Sequence, residues 1–410
     1  MKTKIVAVHL LNDYSGSPFV LRQSLEALVK QGYAVDLYTA GNDGFLSNIA
    51  GINTQAIFYK WNKIKLVTLF LFLFSQATVF FKLLFNLNKK DVVYINSLLP
   101  LGAAIAAKLR GCRVVYHIHE VSVKPAALKN ALVNVANFTA NAGVFVSNDL
   151  AARTHFTKSN KVIYNSLPVD FIATAKNSAF DTDVNSFTVL MACSLKTYKG
   201  VFEFIECAEK LPRFKFTLVL NSSKEEIKNF FSTAKIPANV TLYAAQKNMH
   251  PFYSKANVVM NLSRPEEWVE TFGMTILEAM YYKKPVIVPT VGGIAEIVTD
   301  GLQGFHINST NTKELCTRLV EMAVDKQMYQ ILSANAFARA NQFSQEAFSA
   351  GIVETLEGVL GIEQEQPIEG VKNGLAGKNF QKIDKKKNAK SVKPLINKES
   401  GVLAQQWLTR

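Results

Sequence analysis

The chain has 410 residues, 49% of them hydrophobic and 19% charged, and a formal net charge of +14. That length exceeds what one hydrophobic core usually supports, so two domains are expected, and the apolar fraction excludes a disordered or collagen-like chain. Cys112, Cys193, Cys207 and Cys316 lie far apart with no Cys-x-x-Cys pair, which argues against a thiolate metal site or a disulfide scaffold and fits a reducing compartment.

Met1-Lys2-Thr3-Lys4 leads straight into a strand-like run over 4–11, with no secretory apolar region and small-residue cleavage site. A cytoplasmic location is the expectation. Ser17-Pro18 predicts a helix opening with proline at its first position; Leu21, Leu25 and Leu28 form its stripe, and Gly32 ends it. A strand over 33–39 precedes an uncharged run at 66–81, LVTLFLFLFSQATVFF, and another strand over 91–95 follows it. Sixteen residues fall short of the about 20 that a spanning helix needs. Strands on both sides belonging to one sheet also forbid a single crossing. A buried or surface-lying helix is expected, whose phenylalanine face with Lys60, Lys63 and Lys65 suits contact with an anionic bilayer.

Short strands over 92–95, 114–118 and 144–146 alternate with helical stretches, one opened by Pro100 and closed by Gly111. The pattern weakens over 165–185 and restarts with strands over 187–192, 214–220, 240–243, 258–262 and 285–288. Ser223 with Glu226 reads as a capping box. Parallel strands with crossover helices imply two doubly wound α/β domains, 1–168 and 186–342. The helix at 344–360 is expected to pack back on the first domain. Ligands in such folds bind beyond the carboxyl ends of the strands. Residues 363–410 form a basic tail: from 366 on, ten Lys or Arg stand against Glu369, Asp384 and Glu399, a net of +7, leaving +7 for the other 365 residues. A solvated extension is the plain reading and adhesion to anionic lipid the sharper one. Phe380 is the one aromatic among those lysines, too few for a stacking platform, so nucleic acid is not an expected partner.

The turn Asn12-Asp13-Tyr14-Ser15-Gly16-Ser17-Pro18 would bring backbone N–H groups to a helix N-terminus, which suits a phosphate. It matches neither GxGxxG nor a P-loop. Further on, Pro265-Glu266-Glu267-Trp268-Val269-Glu270-Thr271-Phe272-Gly273-Met274-Thr275-Ile276-Leu277-Glu278 places Glu270 in an entry loop and Glu278 on the helix that follows. Two carboxylates can grip vicinal hydroxyls while the helix end between them offers N–H groups to an anion. That combination suits a nucleotide sugar.

The stretch VETFGMTILEAMYYKKPVIVPTVGGIAEIVTDGLQGFHI resembles the signature region of retaining glycosyltransferases of family 4. SLKTYKGVFEFIECA resembles their diphosphate loop, VVYHIHE their His-Glu strand end, and VFVSNDLA with VIYNSLPVD the end of their first domain. The resemblance covers residues 4–360 and implies the GT-B fold, two Rossmann-like domains facing across a cleft. It implies that Glu278 holds the donor ribose and that Glu270 contacts the sugar, with the backbone of Phe272, Gly273 and Met274 nearby. By the same resemblance Lys199 neutralises the diphosphate, Gly16 and Ser17 approach it from the other domain, and His119 meets the sugar.

One departure stands out. The family's Gly-Arg before the lysine is Cys193-Ser194 here, so Lys196, or Arg264 further along, is the candidate replacement cation. Lysine lacks arginine's bidentate fork. No His/Cys cluster has ligand spacing, and Asp181-Thr182-Asp183 reads as a solvated linker. No metal or other cofactor is expected. The expected activity is retaining transfer of a sugar from a UDP- or GDP-linked donor to a glycan or lipid-linked acceptor, in surface polysaccharide assembly. A non-catalytic nucleotide-sugar-binding subunit and a GT-B epimerase or phosphorolytic enzyme are the alternatives.

Overall fold

The computed structural model describes residues 3–178 and 187–362, apart from Asn42, Trp61 and Val121. Asp181-Thr182-Asp183 and the basic tail lie outside the described residues.

Buried strand β1 (Ile5–Val8) leads to helix α1 (Gly16–Lys30). The helix opens two residues earlier than Ser17-Pro18 suggests. Pro18 still falls in the first turn, where a missing N–H costs no hydrogen bond. Gly32 ends the helix with φ of +81°, its N–H donating to the Val29 carbonyl at 2.8 Å. There follow β2 (Val35–Ala40), β3 (Ile52–Ile57), α2 (Lys65–Asn86), β4 (Val92–Asn96), α3 (Leu101–Leu109), β5 (Arg113–Ile118), α4 (Ala126–Thr139), β6 (Ala142–Phe145), α5 (Asn148–Arg153) and β7 (Ser159–Val162). The sheet runs β3-β2-β1-β4-β5-β6-β7 with every pair parallel. Edge strands β3 and β7 are absent from the sequence reading. Ile52-Asn53-Thr54-Gln55 and Ser159-Asn160-Lys161 are largely polar because an edge is only half covered.

Helix α6 (Val169–Lys176) occupies part of the stretch where the pattern weakens. It lays Phe171 against His250, Tyr253 and Tyr282, with ring centroids 4.6, 6.4 and 6.0 Å apart. The second sheet is built from β8 (Thr188–Cys193), β9 (Lys215–Leu220), β10 (Val240–Tyr243), β11 (Val258–Met260), β12 (Val286–Val288) and β13 (Gly304–His306), ordered β10-β9-β8-β11-β12-β13 and again parallel. Between and after the strands come α7 (Val201–Lys210), α8 (Lys224–Phe230), α9 (His250–Lys255), α10 (Met274–Tyr281), α11 (Ile294–Ile297), α12 (Thr312–Val324) and α13 (Lys326–Ala340). The capping box is present: the Glu226 amide donates to Ser223 Oγ at 3.2 Å and the Ser223 amide to Glu226 Oε2 at 3.0 Å. Helix α14 (Gln345–Leu360) returns to the first sheet, where Phe348, Ile352 and Leu356 join the core of Ile5, Val20, Leu21 and Leu25.

Both sheets reverse their winding once, between β1 and β4 and between β8 and β11. The loops after β1 and β8 therefore open at switch points, where such folds leave a crevice for ligands.

Helix α2 buries Phe72, Ser75, Gln76, Val79 and Leu83. Ser75 Oγ donates to the Phe58 carbonyl at 2.6 Å, and the Gly102 amide to Gln76 Oε1 at 3.0 Å. The helices approach so closely there that a Cβ on Gly102 would lie 2.2 Å from the Gln76 carbonyl oxygen. By length and composition α2 is the one helix, among the described residues, able to cross a membrane. Its two ends lead into β3 and β4 of one sheet, so the fold keeps it on one side.

Candidate active site

The two sheets present their carboxyl ends to each other. Tyr14, in the loop after β1, sits under Lys247 of the loop after β10, with Nζ 5.7 Å from the ring centroid. After β6, the Asn148 amide donates to Glu296 Oε2 of α11 at 3.0 Å, and Tyr164 Oη donates to the same oxygen at 2.8 Å. A Cβ on Gly293 would fall 1.9 Å from the Thr271 carbonyl oxygen and 2.5 Å from Ser147 Oγ, so only glycine allows the halves to meet there.

In the second half, β8 runs through Cys193-Ser194-Leu195-Lys196 into a 3-10 turn over Thr197–Lys199. Gly200 then opens α7 at φ +76°, where a Cβ would lie 2.3 Å from the Leu262 carbonyl oxygen. This tight turn aims Lys199 inward, and its ammonium pairs with the Glu270 carboxylate. Ser263 Oγ donates to Glu270 Oε1 at 2.7 Å, with Asn261 Nδ2 at 3.5 Å. Lys199 Nζ also lies 5.2 Å from the Trp268 ring centroid, and Trp268 stacks on Tyr198 at 5.4 Å. Burial alone would raise the Glu270 carboxyl, but the Lys199 charge and the hydrogen bonds from Lys199, Ser263 and Asn261 prevail and hold it below its ordinary value. The pair is thus ionised and preassembled.

Gly273 adopts φ +98° and caps α10; a Cβ there would meet Ile294 Cγ1 at 2.6 Å. The Phe272 side chain is buried, facing Tyr164 and Phe343 at 6.2 and 6.0 Å, so only its backbone faces the loop chemistry. Met274 begins α10, and Glu278 follows one turn later. Glu278 accepts a hydrogen bond from Tyr253 Oη. Burial pushes its carboxyl up to about 7, only partly offset by that bond. Among the described residues no group of three His, Cys, Asp or Glu is placed to hold a metal ion.

In the first half, Asp13 Oδ1 accepts the Ser15 amide at 3.0 Å and Asn12 Oδ1 the Leu46 amide at 3.0 Å, which fix the loop. Gly16 faces open space, with nothing within 4 Å of where its Cβ would be. Ser17 Oγ lies 3.5 Å from His9 Nε2, and Asn96 Nδ2 donates to the Ser17 carbonyl at 3.3 Å. His119 Nε2 lies 2.9 Å from Asn96 Oδ1, so the proton sits on Nε2. Burial, then the neighbouring His117 and His9, hold His119 well below its ordinary value, and the ring is neutral. Asn96 thereby joins Gly16, Ser17 and His119 into one unit at the ends of β1, β4 and β5.

Two members of that unit, His9 and Asn96, escape the sequence reading, and Glu120 enters it only as the acid of the His-Glu strand end. Glu120 Oε2 accepts the Leu98 amide at 3.3 Å. The only sequence signal of His9 and Asn96 is a polar residue at the end of an apolar strand. Lys196 is exposed, and its charge acts on Glu226 of α8. Arg264 is committed elsewhere, with Nε 2.7 Å from Glu203 Oε1 and Nη1 3.0 Å from Glu267 Oε1. Where the sequence suggests a spare cation, the structure shows a brace between α7 and the 263–273 loop.

Residues 14–171 match the family described as Glycosyltransferase Family 4, and residues 174–339 match Glycosyl transferases group 1. An uncharacterized glycosyltransferase of Methanocaldococcus jannaschii is 33% identical over 88 residues, which are 22% of this chain and 25% of that protein's length. Among solved structures, Anabaena HepE in complex with UDP-glucose aligns with a TM-score of 0.72 at 22% identity, covering 87% of this chain and 100% of that one. Sucrose-phosphate synthase of Thermosynechococcus elongatus aligns with a TM-score of 0.73 at 18% identity, over 88% and 100%. Two opposed parallel sheets, with matches in family order over both, leave one assignment: the chain belongs to the group 1 glycosyltransferases of family 4 and has the GT-B fold.

Proposed function

We propose that the protein moves a sugar from a UDP- or GDP-linked donor to a glycan or lipid-linked acceptor, with retention of the anomeric configuration. The setting we propose is surface polysaccharide assembly at the cytoplasmic side of a membrane. The observation that carries this reading is the ionised Lys199–Glu270 pair beside the α10 N-terminus. A donor diphosphate competes with Glu270 for the Lys199 ammonium. Once Lys199 turns to the diphosphate, the freed Glu270 oxygen accepts hydroxyls of the sugar. Lys199 and the α10 amides then stabilise charge as it grows on the departing diphosphate. Glu278, held by Tyr253, receives the ribose hydroxyls. Gly16 leaves room for the diphosphate at the α1 N-terminus, and neutral His119 meets the sugar without adding charge.

HepE, solved with UDP-glucose, makes that donor the first to try. The test follows UDP release by the purified full chain with and without an acceptor alcohol, and the anomeric configuration of the product by NMR. Acceptor-dependent release with the donor's configuration kept is the expected result. An inverted product would overturn the mechanism, and failure of every nucleoside-diphosphate sugar to raise Tm or to turn over would overturn the function. Release that ignores the acceptor would point to hydrolysis, epimerisation or phosphorolysis instead.

A further inference from the structure

Among the described residues the outer side of α2 is largely uncovered, with Phe74 meeting the Phe58 ring edge-on at 5.4 Å between centroids. Leu66, Phe70, Leu73, Phe74, Phe81 and Phe85 are 78, 68, 55, 49, 55 and 79% exposed. Their spacing places them on one side of the helix, opposite buried Phe72, Val79 and Leu83. Helix α3 borders the C-terminal end of this stripe: Arg110 Nε, just beyond α3, donates to the Leu87 carbonyl at 3.0 Å, and its neighbour Leu109 is 66% exposed. A soluble chain rarely leaves so many large apolar side chains together in water.

We infer that this stripe seats the protein on an anionic lipid surface, lying in the headgroup region rather than crossing it. Charge selects the occupant. Between Asp43 and Asp91 the sequence has no acid, while Lys60, Lys63, Lys65, Lys82, Lys89 and Lys90 cluster at the two ends of the helix. Lys82 is turned inward, its Nζ donating to the Ala56 carbonyl at 3.0 Å; the other five are exposed. A second copy would bring the same lysines against these ones, and like charges facing each other oppose that pairing. The chain's own tail is disfavoured for the same reason, since residues 366–410 carry a net of +7. An apolar stripe rimmed by lysine alone fits acyl chains below anionic headgroups. Because α2 leaves the carboxyl end of β3 and returns to the amino end of β4, its Leu66 end lies on the cleft side of the sheet. A membrane-borne acceptor would meet the site from there, although lipid binding itself does not depend on the transfer reaction.

The experiment is co-sedimentation of the full chain with extruded vesicles of phosphatidylcholine alone and of phosphatidylcholine with 30 mol% phosphatidylglycerol. The variants are Phe70→Glu/Phe74→Glu and Lys63→Glu/Lys65→Glu/Lys89→Glu, checked by Tm and by circular dichroism. The wild type is expected to pellet with the anionic vesicles and to stay in solution with the neutral ones. The phenylalanine variant should bind about tenfold or more weakly, and the lysine variant should already bind weakly at low salt and lose the wild type's fall in binding as salt rises. Undiminished binding by Phe70→Glu/Phe74→Glu would assign adhesion to the tail and overturn the inference. So would a concentration-dependent dimer abolished by that variant, which would give the stripe to a second copy. Neither result bears on turnover of a water-soluble acceptor.

Discussion

The Tyr164 hydroxyl, at the end of the first half, donates to the Glu296 carboxylate of the second at 2.8 Å. The same carboxylate accepts the Asn148 backbone amide at 3.0 Å and Asn148 Nδ2 at 3.0 Å. Glu296 thus caps the N-terminus of α5 from across the cleft, and Arg339 Nη2 holds its own carbonyl at 2.8 Å. Tyr164 stays protonated, because burial and then the Glu296 charge push its phenol up.

Removing the Glu296 carboxylate should therefore loosen the halves without touching the donor site. Glu296→Ala is expected to cost about 1–3 kcal/mol of stability, the worth of a cap plus charge-assisted hydrogen bonds. Small-angle scattering should show a larger radius of gyration, and KM should rise more than kcat falls. An unchanged radius together with wild-type Tm would show that these bonds do not hold the cleft.

Lys199 and Glu270 form a largely buried pair, with side chains 13 and 16% exposed. Deleting one partner leaves the other charge without compensation, so Lys199→Ala and Glu270→Ala should each destabilise by about 2–4 kcal/mol. The double change Lys199→Met/Glu270→Leu should regain most of that stability, since an apolar pair of similar volume needs no counter-charge. Donor turnover should be lost in all three. A double mutant no more stable than the singles would mean that the pair is not the stabilising unit.

Glu278 offers a pH signature. Its folded-state carboxyl titrates near 7, above the ordinary 4.5, so the folded protein binds a proton that the unfolded chain has released. Stability should therefore fall as pH rises from 4.5 to 7, with the full cost felt above 7. Glu278→Gln keeps an acceptor for Tyr253 and removes that cost. It should raise stability by on the order of 2–3 kcal/mol at pH 8 and leave it unchanged near pH 4. Wild-type affinity for a nucleoside diphosphate should climb from pH 6 to 8 as the carboxylate ionises. Equal Tm differences at pH 4 and pH 8 would rule out this burial effect.

These features were unequally legible in the sequence. The buried central strands announce themselves as apolar runs, and β9 over Lys215–Leu220 falls within one residue of the bounds its residues suggest. Edge strands β3 and β7 do not, because a half-covered strand needs no apolar run. Glu270 and Glu278 stand out by their loop-and-helix setting, yet the Lys199–Glu270 pair joins residues 71 apart in sequence and becomes visible only once the chain is folded. Asn96 links His119 to Ser17 through three strand ends distant in sequence, so no local spacing could mark it. Arg264 looks like a free cation beside the glutamates until Glu203, on another helix, is seen to hold it.

The two glycines that open α1 and α7, one in each half, should respond differently to an added side chain. At Gly200 the backbone has φ +76°, and a Cβ would lie 2.3 Å from the Leu262 carbonyl oxygen, so Gly200→Ala should cost about 2 kcal/mol or more and lower Tm. At Gly16 nothing lies within 4 Å of the Cβ position, and the residue opens a helix without positive φ. Gly16→Val should therefore keep Tm within the change of about 0.5 kcal/mol typical of surface substitutions. Its cost should appear only with ligand, as tenfold or weaker binding of the donor, because the isopropyl group fills the approach to the α1 N-terminus. Calorimetric titration of both variants with UDP separates the cases. Wild-type UDP affinity in Gly16→Val would place the diphosphate away from α1 and leave its binding to Lys199 and α10 alone.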